Sequence, residues 1–137
     1  MGNGRRLIKM KPDLLLYLQQ RAKQNFDIKN NNCVQFTNKC WEIYHGKPWC
    51  EEFNQYFDIA QTEWTDPLEA ADNILERVYN PLEGDLVGMK LGNGHYYLKG
   101  YICGFCIGDL SVFLGDKGLK YLPTKRLKLF WRNKNVI

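Results

Sequence analysis

The sequence predicts an α+β domain in which the helices come first and an antiparallel sheet follows. Apolar residues in the first half recur every three or four positions, as they do on one face of a helix. In the second half, short apolar runs are separated by turn sequences, of which Gly92-Asn93-Gly94 is a strong hairpin signal. Helices followed by consecutive strands are typical of an α+β fold.

The first two helices are predicted from their caps and their apolar stripes. Asp13 can cap a first helix that runs to about Asn25. The second and most periodic helix runs from Cys33 to His45, and Gly46 ends it. Its apolar positions predict one buried stripe, made of Cys33, Phe36, Thr37, Cys40, Trp41 and Tyr44.

The third helix has the clearest start signal. Asp66 can cap it, Pro67 suits the first helical position, and Glu69 lies three residues after the cap, as in a capping box. The apolar spacing continues as far as Val78, so we expect the helix to extend to that residue.

A sheet of four or five strands is predicted beyond Pro81. Lys125 to Arg132 is consistent either with a last strand or with a short helix. The other predicted strands run from Asp85 to Leu91, Tyr96 to Ile107, Ser111 to Leu114 and Leu119 to Leu122. We therefore expect residues 1–12 to form a basic N-terminal arm and residues 13–137 to form a single domain.

Basic residues cluster at both ends of a chain whose net charge is only +4. The N-terminal cluster consists of Arg5, Arg6, Lys9 and Lys11. Near the C-terminus, Trp131 and Arg132 are residue types that protein interfaces favour. Basic clusters at chain ends are often solvated tails. The alternative, which we predict, is that both groups bind partners, with protein favoured over nucleic acid. No apolar run is long enough to span a membrane.

The five cysteines predict reduced, buried side chains rather than a disulfide framework or a metal site. Their number is odd and their spacing irregular. Cys103 and Cys106 lie three apart in a predicted strand, so their side chains point to opposite faces and cannot easily share one ion. The sequence contains no glycine-rich phosphate loop or carboxylate metal cluster, and we expect no metal and no cofactor.

A cysteine at a helix start, followed by an antiparallel sheet, resembles the NlpC-type superfamily of papain-like cysteine peptidases. The resemblance is closest to a small phage-tail-associated branch of that superfamily, which lacks the usual catalytic histidine. It spans roughly Asp13 to Arg132 and depends on the order of short motifs. These are Asn32-Cys33-Val34-Gln35-Phe36, Gly84-Asp85-Leu86-Val87, Gly104-Phe105-Cys106-Ile107-Gly108, Lys117-Gly118-Leu119-Lys120-Tyr121-Leu122-Pro123 and Trp131-Arg132.

The resemblance implies roles for three positions, of which this chain keeps one. Cys33 falls on the nucleophile position. The position of the general base is Ile102, and that of the polar orienting residue lies near Leu114. Neither residue can act as a base or orient one. Of the two histidines, His95 lies beside the hairpin turn, and His45 is expected to cap the carbonyls at its helix end.

The resemblance therefore implies a structural protein of a tailed-bacteriophage virion, in the tail or neck region. Such a protein would be assembled in the host cytoplasm and would use a catalytically inactive peptidase-like domain to bind other virion proteins, in several symmetric copies. The alternative is an active cysteine peptidase or amidase that cuts peptidoglycan peptides, with Cys33 as nucleophile and a displaced His95 as base.

Overall fold

The computed structural model describes residues 12–22, 33–51, 67–90, 101–115 and 118–134. Within these ranges the chain forms helices α1 (Pro12–Arg21), α2 (Cys33–His45) and α3 (Pro67–Ile74). The strands are β1 (Glu76–Val78), β2 (Leu86–Lys90), β3 (Tyr101–Cys106), β4 (Leu110–Gly115), β5 (Gly118–Pro123) and β6 (Leu129–Arg132). The α+β prediction is confirmed. None of the described helices combines the length and the apolar character that crossing a membrane requires.

Helix α2 follows its prediction closely. It begins at Cys33 and ends at His45, and Gly46 takes a positive φ of 98°, a conformation that glycine adopts without strain. The predicted stripe is buried except for Tyr44, which is half-buried. Helix α1 is shorter than predicted within the described residues, since it ends at Arg21.

The third helix ends earlier than its apolar pattern predicts. Its last backbone bond runs from the Leu75 N–H to the Ala71 carbonyl, and the chain then becomes extended. Val78 is buried as a strand residue, because it pairs with Phe130 of β6. The prediction that the helix reaches Val78 is therefore wrong.

The described strands form one six-stranded antiparallel sheet in the order β1-β6-β2-β3-β4-β5. The sheet exceeds the four or five predicted strands because of β1. The segment from Lys125 to Arg132, left open between helix and strand, contributes to both. Thr124–Arg126 is a single 3-10 turn, and Leu129–Arg132 is β6.

The helices pack on one face of the sheet. Phe105 of β3 makes edge contacts with the rings of Trp41 and Tyr44 on α2. On β2, a Cβ added to Gly88 would lie 2.6 Å from the Leu68 side chain of α3 and 2.8 Å from the Trp131 ring. Glycine at this position lets α3 and β6 approach the strand. This helix-covered face is where α2 presents Cys33 to β3.

Candidate functional site

Cys33 is held at the first position of α2, where backbone N–H groups have no partner within the helix. Its side chain is fully buried. Thr37 lies one turn later, and its hydroxyl donates to the Cys33 carbonyl at 2.9 Å and approaches the Val34 carbonyl at 3.2 Å. The first turn of the helix is thus fixed by a side chain of the same buried stripe.

The side chain that faces Cys33 is Cys103 of β3. The Cys103 side chain interacts with that of Cys33, and its sulfur lies 3.5 Å from the Thr37 hydroxyl. Hydrogen bonding with Cys103, through its side chain and its backbone, and with N–H groups at the helix start lowers the pKa of Cys33 despite its burial. Burial and the interaction with Cys33 raise the pKa of Cys103 well above the usual range of a thiol. The two thiols thus have pKa values shifted in opposite directions, that of Cys33 downward and that of Cys103 upward.

The loop that follows α2 packs against this pair of thiols. Trp49 donates its indole N–H to the Thr37 hydroxyl at 2.9 Å, and the same hydroxyl lies 3.5 Å from the Cys103 sulfur. Asn38 holds the next loop residue, Cys50, by accepting from its N–H at 2.9 Å and donating to its carbonyl at 3.2 Å. Cys33 and Cys103 are both buried, so a substrate has no open approach to them through the described part of the chain.

The positions that the resemblance assigns to base and orienting residue hold apolar, buried side chains. Ile102 and Leu114 are both buried in the core. Successive residues of a strand point to opposite faces, so Ile102 points away from the face on which Cys103 meets Cys33. Extending the β3–β4 register by one pair places Leu114 beside Cys103. The residue opposite Cys33 is thus Cys103, one position later than the resemblance implies.

Neither histidine is placed beside Cys33 by the described structure. His45 lies 12 residues further along α2, about 18 Å away at about 1.5 Å per residue. Its ring packs between Trp41 and Tyr44, with centroids 4.4 and 4.8 Å apart, and its Nε2 lies 2.7 Å from the Gly84 carbonyl oxygen. His45 thus contacts the chain before β2. His95 lies outside the described residues.

The two C-terminal residues predicted to bind partners have contacts inside the domain. Trp131 is fully buried, and its indole N–H donates to Asp72 of α3 at 2.8 Å. Arg132 is mostly buried and bonds to both carboxylate oxygens of Asp85, each at 2.8 Å. These contacts give both residues a structural role, and the burial of Trp131 leaves its ring without surface for a partner. Arg5, Arg6, Lys9 and Lys11 lie outside the described residues.

Three of the motifs that carry the resemblance meet in space. Asp85, from the Gly84-Asp85 motif, holds Arg132 from the Trp131-Arg132 motif and also accepts from the Leu82 N–H at 2.7 Å. The Cys106 N–H donates to the Asp85 carbonyl, and the Gly84 N–H donates to the Cys106 carbonyl. Gly84 also has a positive φ of 97°. These three motifs thus form one network that joins β2, β3 and β6.

Cys103 and Cys106 point to opposite faces of β3, as their spacing predicts. Cys103 lies beside Thr37 of α2, whereas the Cys106 sulfur lies 3.9 Å from the Thr124 hydroxyl after β5. All five cysteines are free and buried. Within the described ranges, no group of three or more histidine, cysteine, aspartate or glutamate residues is arranged to hold a metal ion.

The family comparison covers nearly the whole chain. The model of the family described as "Domain of unknown function (DUF6950)" matches residues 5–133. The chain belongs to this family. The matched residues include Cys33, its partner Cys103 and the Asp85–Arg132 pair. No curated protein and no solved structure matches the chain.

The sequence reasoning missed Cys103 as the partner of Cys33. A signal was present in the sequence. Cys103 and Phe105 are two residues apart in a strand, so their side chains lie on the same face of β3, the one that meets the predicted stripe of α2. Nothing in the sequence specified how far α2 is shifted along β3, and that shift decides which strand residue meets Cys33.

Proposed function

We propose that this protein is a non-catalytic binding domain, built on a peptidase-like architecture, in the tail or neck region of a tailed-bacteriophage virion. The observation that carries the proposal is that the buried Cys33 faces a second buried thiol, Cys103 of β3, in place of a base. A cysteine nucleophile needs a base within hydrogen-bond reach and a group that orients the base. Here a buried thiol with a raised pKa stands opposite Cys33, and the positions expected for base and orienting residue hold apolar Ile102 and Leu114.

The virion setting is supported by the order of the motifs, which resembles that of the phage-tail branch. Its partners would be other virion proteins, and assembly would take place in the host cytoplasm. The predicted basic arm, which contains Arg5 and Lys11, would supply cationic contacts to those partners.

The proposal is tested in a tailed phage that encodes a member of this family. Virions purified through a density gradient are analysed by quantitative mass spectrometry, and we expect the protein at a fixed copy number per particle. A phage lacking the gene is then complemented with Cys33→Ala or Cys103→Ala. Both variants remove the same thiol contact, so we expect similar plaque counts from the two. Absence of the protein from virions, or failure of Cys33→Ala alone, would contradict the proposal.

A second candidate function is a cysteine peptidase or amidase that acts on peptidoglycan. The observation in its favour is the lowered pKa of Cys33 at a helix start, a feature of reactive cysteines. Alkylation by iodoacetamide across a pH series separates the two candidates. A peptidase predicts rapid alkylation of Cys33 in the folded protein. The binding domain predicts alkylation much slower than in urea at every pH, because the sulfur is buried.

A further inference from the structure

A cavity of about 670 Å³ opens at the end of the sheet where β3 turns into β4 and β5 leads into the 3-10 turn. Its size lies in the range of ligand-binding pockets. Apolar walls come from Pro81, Leu82, Leu110 and Pro123. Leu82 is 58% exposed, so apolar surface continues from the cavity to solvent.

The floor of the cavity is held in place by Thr124. Its hydroxyl donates to the Gly108 carbonyl at 2.7 Å and lies 2.8 Å from the Ser111 hydroxyl. Its N–H donates to the Asp109 carbonyl at 2.8 Å. These bonds join the β3–β4 turn to the segment after β5. The cavity is therefore formed before any ligand arrives, which lowers the entropic cost of binding.

Two carboxylates and one ammonium group line the cavity. Glu83 is oriented by the Tyr44 hydroxyl, which donates to it at 2.9 Å. Asp109 belongs to the β3–β4 turn, and the exposed Lys125 follows the floor residue Thr124. The lining thus carries a local negative charge in a chain whose net charge is +4. A cation drawn to this place is attracted by nearby carboxylates and not by the overall charge of the protein.

We propose that this cavity binds an arginine or lysine side chain of a partner protein. The apolar walls suit the methylene stem of such a side chain, while Glu83 and Asp109 suit its charged head. The proposal rests on the proposed function, since it gives the binding domain a docking site and specifies the chemistry of the partner.

The test is an NMR titration of the ¹⁵N-labelled protein with a short blocked peptide, acetyl-Gly-Arg-Gly-amide. Matched peptides replace the arginine with norleucine or with glutamate. We expect saturable shifts at the amides of Gly108, Leu110 and Thr124, in the millimolar range and weakened by salt. The norleucine and glutamate peptides should produce no saturable shifts at these amides.

Variants assign the binding to the carboxylates. Asp109→Asn and Glu83→Gln should each weaken binding about tenfold, the loss of one charged hydrogen bond of about 1.4 kcal/mol. Glu69→Gln, at an exposed position of α3, is the matched control and should leave binding unchanged. Glu83 also accepts a hydrogen bond from Tyr44, so Glu83→Gln is compared with the wild type at equal concentrations of folded protein. Asp109→Asn tests the site independently of that hydrogen bond.

Absence of saturable shifts with the arginine peptide, equal shifts with norleucine, or unchanged binding in both carboxylate variants would overturn the proposal. These outcomes are distinct from failure of the proposed function. If the peptide does not bind but the protein is present in virions, only the docking site is wrong. If the peptide binds but the protein is absent from virions, the docking site stands and the virion role is wrong.

Discussion

Replacing Arg132 with methionine tests the structural role of this residue. The guanidinium donates two bonds to Asp85 at 2.8 Å each, and a third to the Asn80 carbonyl at 2.9 Å. The side chain of Asp85 is only 2% exposed and that of Arg132 only 16%. Methionine keeps the apolar stem but leaves a carboxylate buried without its cation.

Breaking a buried ion pair by removing one partner costs about 3–5 kcal/mol. We expect the lower part of that range, about 3 kcal/mol, because Asp85 keeps the bond from the Leu82 N–H and Arg132 retains some exposure. The exposed pair Lys39–Glu42, with side chains 52% and 46% exposed, is the matched control. Removing an exposed pair of this kind costs at most about 0.5 kcal/mol.

The assay is urea unfolding of the wild type, Arg132→Met and Lys39→Met, with the free energy of unfolding extrapolated to water. Arg132→Met should lower that free energy several times more than Lys39→Met. Adding Asp85→Asn to Arg132→Met removes the buried charge and should recover part of the loss. Equal, small losses in the two single variants would refute the argument that this pair ties β6 to the start of β2.

Two further predictions concern packing and pH. Gly88→Ala should destabilise the protein by about 1–3 kcal/mol in the same assay, because its methyl group would overlap Leu68 and Trp131; a neutral result would mean that this interface repacks freely. Burial raises the pKa of the Cys40 thiol, so above the unfolded-state pKa of about 8.5 the unfolded chain loses a proton that the folded chain keeps. The contribution of the Cys40 thiol to the free energy of unfolding is therefore complete below that pH and is lost as the pH rises above it. Cys40→Ala should reduce the alkaline fall in stability by about 1.4 kcal/mol per pH unit, and an unchanged slope would contradict the assignment.

Sequence patterns within one segment correctly predicted those elements whose bounds are set by interactions within that segment. Helix α2 could be predicted from its start at Cys33, its stripe and Gly46, since caps and periodicity lie within one segment. The end of α3 could not. Ile74, Leu75 and Val78 fit a helical spacing, but Val78 becomes extended because Phe130, 52 residues later, supplies its strand partner.

The geometry of the candidate site depends on contacts between segments that are far apart in the sequence. Cys33 was predicted at a helix start, but whether Ile102 or Cys103 faces it depends on a one-residue shift between α2 and β3. In a strand, such a shift exchanges one face for the other. The ion pair between Asp85 and Arg132 likewise could not be predicted, because it joins two motifs that are 47 residues apart.

The central proposal is that Cys33 stabilises the fold through its contact with Cys103 and does not act in catalysis. It is tested most directly by incubating purified peptidoglycan with the wild type, Cys33→Ala and Cys103→Ala and measuring the release of free amines. The account predicts no release above background from any of the three, and similar losses of stability in the two variants. Release by the wild type and by Cys103→Ala, but not by Cys33→Ala, would contradict it.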